Sequence, residues 1–74
     1  MAVNFLQQVN ISDFLEVEGN MKVDSTGYLQ IPVGTTAQRP TPQYGMIRYN
    51  STTEKVESVV PDKFGDPSWA AIGP

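Results

Sequence analysis

Residues 45–60 read GMIRYNSTTEKVESVV, and this stretch decides the fold class. A run of β-prone residues at 46–49 is followed by a polar turn cluster at 50–53 and by a second run at 55–60. Two such runs joined by turn residues predict a β-hairpin. A last short strand is predicted at 68–72, after a loop that contains Gly and Pro.

Upstream of the hairpin, three shorter stretches at 15–17, 21–23 and 29–31 alternate apolar and polar residues. A period of two is typical of strands, and turn residues at 19–20 and 25–27 separate the three stretches. On short strands the apolar side chains share one face: Leu15, Val17, Met21, Val23, Leu29 and Ile31. Each strand is only about 13 Å long, so we expect neighbouring copies of the chain to complete the core.

The remaining sequence divides into an arm and a connector. The connector, 34–44, reads GTTAQRPTPQY and is predicted to be extended, with polyproline-like character around its two prolines. The first fourteen residues are predicted to be a docking arm with a short helical turn near Ser12-Asp13, although the pattern of 1–12 fits helix and extended chain alike. Its apolar residues are Val3, Phe5, Leu6, Val9 and Ile11. Together with segments 15–33 and 45–74, these parts make one compact module.

Length and composition point to self-association. The chain has 74 residues, no Cys and no His, which excludes disulfides and the usual zinc sites. Ordering it costs on the order of 110 kcal/mol, and only 39% of its residues are hydrophobic. Small domains without disulfides or metals usually need partner chains, so we expect an oligomer without cofactors.

The charge distribution argues against two classes of partner. The formal net charge is −3, and the five basic residues are scattered. Nucleic acids and anionic membranes require a basic cluster, so neither partner is expected. No apolar run reaches membrane-spanning length, and residues 1–4 do not resemble a signal peptide.

Two groups of polar and aromatic side chains are candidate binding residues. Arg39 and Arg48 are candidates for binding a partner, but we favour hydrogen bonds to carbonyls or to a carboxylate at a subunit interface. Trp69 is a candidate for stacking on a sugar ring, but packing in the core or between subunits is favoured. The aromatic residues considered with it are Tyr44, Tyr49 and Phe64.

Four carboxylates are candidate acid–base groups: Glu54, Glu57, Asp62 and Asp66. Catalysis by such groups requires a cleft and a partner group within reach. The chain has no His or Cys and has little core in which to shift a pKa. We therefore expect no enzymatic activity and no metal or cofactor.

Two motifs, GTTAQRP at 34–40 and GMIRYN at 45–50, occur in order and precede Trp69. This arrangement resembles a module of bacteriophage tail fibres and other virion proteins. The resemblance covers 31–58 and the strand with Trp69. It implies a mostly β fold in an intertwined trimeric fibre-like or prism-like module, with an extended N-terminal arm.

The resemblance also implies a function. We expect a homotrimeric virion subunit, made in the cytoplasm of a host bacterium, that decorates or cements the capsid or forms a short head fibre. A subunit of the tail-fibre apparatus and a lectin-like module for host surfaces are the alternatives. Its expected partners are the major capsid protein or tail and neck proteins. Met46, Tyr49 and Trp69 are predicted to join the six apolar side chains of 15–31 in the trimer interface.

Overall fold

The computed structural model describes residues 9–73. They form a four-stranded mixed sheet with almost no helix, which confirms the mostly β fold. The elements are β1 (Val33–Gly34), the 3-10 helix η1 (Thr36–Gln38), β2 (Ile47–Asn50), β3 (Lys55–Pro61) and β4 (Pro67–Ala71). The strands lie in sequence order, and β1 pairs with β2 in parallel, whereas the other two pairs are antiparallel.

The predicted hairpin is confirmed as β2 and β3, in which Arg48 lies directly opposite Glu57. Its turn is held by the Asn50 side chain, whose Oδ1 accepts hydrogen bonds from the backbone N–H groups of Thr52 and Thr53. Asn and Thr favour such turns because their short polar side chains bond to nearby backbone. The predicted last strand is also confirmed, and β4 begins one residue earlier than predicted.

The loop between β3 and β4 is closed by one carboxylate. Asp62 Oδ1 accepts hydrogen bonds from the N–H groups of Phe64 and Asp66, and Gly65 has a φ of 83° that glycine adopts readily. The Tyr44 hydroxyl donates to the Gly65 carbonyl at 2.7 Å. The loop is therefore ordered although the Phe64 ring is exposed.

The predicted extended connector is partly wrong, because its start is folded onto the sheet. Gly34 belongs to β1, and its carbonyl accepts a hydrogen bond from the Ser51 N–H at 2.8 Å. The chain then turns through η1, where the Gln38 side chain accepts from the Thr35 N–H at 2.9 Å. The pairing of β1 with β2 and this local hydrogen bond both favour a turn here. The chain returns to extended backbone at Arg39, before Pro40.

The short strands predicted at 15–17, 21–23 and 29–31 are not formed in the single chain. A bend occurs at 25–27, where a turn was predicted, and another at 18–19, one residue before the turn predicted at 19–20. The predicted helical turn near Ser12-Asp13 is a simple bend. Every residue from 9 to 30 is exposed, so these segments have no neighbouring strand to accept and donate their backbone hydrogen bonds. A strand without a partner strand has no reason to form.

The predicted arm extends past the described part of the chain. Val3, Phe5 and Leu6 lie outside the described residues. Val9 and Ile11 are exposed in the single chain.

The sheet has two faces of different chemistry, which follow from the register and from the alternation of side chains. One face, here called the polar face, carries Gly34, Arg48, Asn50, Glu57, Val59 and Trp69. The opposite face, here called the open face, carries Val33, Ile47, Tyr49, Val56, Ser58, Val60, Ser68 and Ala70. Residues 35–40 contact the polar face through hydrogen bonds, and the small interior of the chain lies there.

Candidate functional site

The interior of the polar face is built around Glu57, a carboxylate that is only 2% exposed. Arg39 donates to it through two nitrogens, Nη2 to Oε1 at 2.7 Å and Nε to Oε2 at 3.1 Å. Arg48 Nη1 donates to Oε2 at 2.6 Å, and Asn50 Nδ2 donates to Oε1 at 3.1 Å. Each carboxylate oxygen thus accepts two hydrogen bonds, which compensates for its removal from water.

Arg48 connects this carboxylate to the rest of the polar face. Its buried guanidinium donates from Nη2 to the Thr35 carbonyl at 3.0 Å and lies 5.8 Å from the centre of the Trp69 ring. A planar guanidinium suits such a site because it can bind a carboxylate, bind a carbonyl and stack on an aromatic ring at once. Arg48 therefore joins β2, β3, β4 and the turn before η1.

Asn50 is fully buried and ties the hairpin turn to η1. Its Nδ2 donates to Thr36 Oγ1 at 3.0 Å as well as to Glu57. Its Oδ1 accepts from the backbone of the turn, as described above. In the described part of the chain no buried side-chain nitrogen or oxygen lacks a hydrogen-bond partner, which is the condition for a stable polar interior.

The network explains why the two motifs occur together. GTTAQRP supplies Gly34, the Thr35 carbonyl and Arg39, whereas GMIRYN supplies Arg48 and Asn50. Gly34 has no Cβ, and a Cβ there would lie 2.5 Å from Arg48 Nη2. The motifs are thus two halves of one ion-pair network that meets at Glu57.

Sequence reasoning missed the central role of Glu57, which it treated as one of four acid–base candidates. The sequence contained a signal: Arg48 and Asn50 are two residues apart and therefore share one face of their strand, as Glu57 and Val59 do on the next strand. Polar residues on the inward face of a hairpin indicate a polar interior. The favoured prediction for the two arginines was that they bond to carbonyls or to a carboxylate at a subunit interface. Their partners are indeed a carboxylate and a carbonyl, but these partners belong to the same chain.

The electrostatics of the cluster keep Glu57 ionised. The hydrogen bond from Arg39 lowers the pKa of Glu57 most, burial opposes it, and the bonds from Arg48 and Asn50 add to the lowering, which brings the pKa to about 2. The same contact raises the pKa of Arg39. The burial of Glu57 and its hydrogen bonds from two arginines indicate a structural ion pair.

The other predicted site residues lie apart from the network. Trp69 is half-buried on the polar face, where its indole N–H donates to the Pro40 carbonyl at 3.2 Å, whereas Tyr49 lies on the open face. Phe64 projects from the loop between β3 and β4. The structure therefore does not bring Trp69 and Tyr49 together as one aromatic platform.

Two of the other candidate carboxylates lie in a turn and in a loop. Glu54 is exposed in the hairpin turn, and Asp62 holds its own loop by accepting backbone hydrogen bonds. No group of three metal-ligating side chains occurs in the described range. No described helix is long and apolar enough to cross a membrane.

An open cavity of about 480 Å³ lies beside the network. Its wall includes Pro32, Pro40, Met46 and Trp69, and the polar side chains of Gln38 and Arg48 also line it. The cavity is mostly apolar, which fits an apolar side chain better than a charged ligand. Met46 and Trp69, two predicted interface residues, thus share one half-buried depression.

Comparisons with protein-family models, with curated proteins and with solved structures find no significant match to this chain. The resemblance of the two motifs to bacteriophage virion modules therefore stays a prediction. The geometry of the chain and its exposed surface carry the functional argument.

Proposed function

We propose that this chain is a homotrimeric structural subunit of a bacteriophage virion, serving as a capsid-decorating (cement) protein or as a short head fibre. The observation that carries the proposal is the large surface that the single chain exposes. The two sequence motifs direct the proposal to virions, and the exposed surface directs it to an assembly.

The exposed surface of the single chain is 6785 Å². A compact monomer of 8.1 kDa exposes about 4,500 Å², so this chain exposes about 2,300 Å² more than a globular fold of its mass. Its radius of gyration is 15.5 Å, against about 11 Å for a compact chain of this length. A surplus of this size is comparable to the area that each subunit buries in stable assemblies.

The exposed surface includes many large apolar side chains. Val59 is the single buried hydrophobic residue in the described part of the chain, whereas fifteen large hydrophobic residues are exposed there. Among them are Leu15, Val17, Met21, Val23 and Leu29, which are 44–67% exposed. These side chains give the single chain much apolar surface that partner chains could bury.

The polar interior is consistent with a structural role in such an assembly. The network around Glu57 fixes the hairpin, β1 and η1 without needing a hydrophobic core within one copy. The apolar side chains are then free to make contacts between copies. Residues 1–14 supply the docking arm of this proposal, with shell, neck or tail proteins as its partners.

The first prediction is that the purified protein has the mass of three 8.1 kDa chains in light scattering at micromolar concentration. The physical reason is that one copy leaves its apolar surface uncovered, and association is the way to cover it. A folded, monodisperse monomer would overturn the proposal. Density for the protein on purified particles in electron cryomicroscopy then locates it on the capsid, neck or tail.

The second prediction concerns the apolar residues upstream of the sheet. Replacing Val23 with Asp is expected to prevent trimer formation, because three carboxylates would be brought near one axis at a cost of several kcal/mol each. Sizing and thermal melting measure the effect. Lys22→Asp is the matched control, because Lys22 is the exposed neighbour that alternates to the other side. If Val23→Asp remains trimeric and melts as the parent does, residues 15–31 do not line the axis.

A further inference from the structure

The open face is an apolar sheet surface without a charged side chain. The chain has five basic and eight acidic residues, and none of them lies among the residues of the open face. Val33, Ile47 and Val60 on this face are 60%, 47% and 41% exposed. Val33 and Ile47 flank Tyr49, which pairs with Val56 across β2 and β3, and Val60 lies opposite Ser68.

The chain lies over one side of its sheet and leaves the other partly exposed: three of the eight residues of the open face are exposed and five are half-buried. The segment 35–40 lies over the polar face and bonds to Glu57, Arg48 and Trp69. The described upstream residues 9–30 are all exposed and contribute no strand to the sheet. A sheet normally buries one apolar face against another layer, and within residues 9–73 that layer is missing.

We propose that the open face is covered by the open faces of other copies of this chain. The inference rests on the proposed trimer and names the surface through which it forms. Around a symmetry axis, identical surfaces are brought close to one another, so any charge on such a surface would face its own copies. A face without charge avoids this repulsion.

The absence of charged side chains distinguishes the open face from the rest of the molecular surface. The polar face uses its arginines and its carboxylate within the chain, and the exposed loops carry charges of both signs. The open face is the surface of a sheet, and sheet faces can pack their side chains against one another. Ser58 lies near its centre, between Ile47 on β2 and Ala70 on β4.

The absence of cysteine from the chain allows a direct test by thiol labelling. Ser58→Cys places one thiol on the open face, and Ser51→Cys places one in the exposed hairpin turn as the matched control. In the assembled protein we expect a maleimide to label Cys at position 58 at least about tenfold more slowly than Cys at position 51, because access limits thiol reaction. Both are expected to label equally fast in urea.

The outcomes separate this inference from the proposed function. A trimer in which both thiols label at equal rates would overturn the inference and leave the trimer in place, held by residues 15–31 instead. A monomeric parent protein would overturn both. If the thiol at 58 stays protected in chains diluted to monomers, the chain covers its own open face. That result would overturn the inference. Ser68→Cys, on the same face, repeats the test if Ser58→Cys does not fold.

Discussion

Replacing Glu57 with Gln is expected to lower the free energy of unfolding by about 3 kcal/mol or more, because it removes the partner of two arginines in a buried site. Each Glu57 oxygen accepts two hydrogen bonds, one of them from Arg39. A Gln amide group must place its N–H₂ where one of these oxygens lies, so it meets two donors in either orientation. Arg48 then remains buried without its carboxylate, which is costly in a small domain with little stability to lose.

The control for this variant is Glu54→Gln, which removes the same charge from an exposed position three residues away. Its effect should stay within about 0.5 kcal/mol, as for most surface substitutions. Urea unfolding of both variants, followed by circular dichroism, measures the two free energies. If Glu57→Gln unfolds at the same urea concentration as Glu54→Gln, the network does not hold the fold.

The pH dependence of the same comparison isolates Glu57. Its pKa is lowered from 4.5 to about 2 in the folded protein. The sign of the effect is that of a depressed pKa: the stabilisation is complete above the unfolded-state pKa and is lost as the pH falls through the folded-state pKa. The stability difference between the parent and Glu57→Gln should therefore be constant near neutral pH and should shrink between about pH 4.5 and pH 2.

The hairpin was predictable because its information is local. Residues 46–60 contain two β-prone runs and a turn cluster, and the turn residue Asn50 directs its side chain back to the turn itself. The start of the connector was not predictable in this way. Gly34 joins the sheet by parallel pairing with a strand that follows it by more than ten residues, and such pairing leaves no local pattern.

The network could be predicted only in part. The preference of Arg for a carboxylate or a carbonyl was deduced from its five donors, and the structure confirms it for Arg39 and Arg48. The choice of Glu57 among four carboxylates depends on register, because Glu57 lies opposite Arg48 whereas Glu54 lies in the turn. Strand register is set by the turn length and by side-chain packing together, and it cannot be predicted from composition alone.

The upstream strands show a different limit. The alternation at 15–17, 21–23 and 29–31 is a property of side chains, whereas a strand also needs a neighbour for its backbone. In one copy that neighbour is missing, and residues 9–30 stay exposed without regular structure. The alternation predicts which side chains share a face, but whether a strand forms depends on partner chains.

Gly34→Ala is expected to destabilise the fold by about 1–3 kcal/mol, the cost of losing hydrogen bonds to a buried group. A Cβ at this position would lie 2.5 Å from Arg48 Nη2 and 3.0 Å from Gln38 Oε1. The end of a long side chain usually moves at little cost, but Arg48 is held by the Thr35 carbonyl and by Glu57. Any movement that accommodates the methyl group must therefore weaken one of these bonds.

The matched control is Gly19→Ala, where an added Cβ meets no atom within 4 Å and the φ is not positive. Thermal melting of both variants should show a clear drop for Gly34→Ala and no drop for Gly19→Ala, because replacing an unstrained glycine reduces only the entropy of the unfolded chain. A second substitution tests the cause. Arg48→Lys in the Gly34→Ala background removes the atom that the methyl group meets, so the two changes should cost less together than their separate costs predict. Additive costs would show that Gly34 is needed for a reason other than its contact with Arg48.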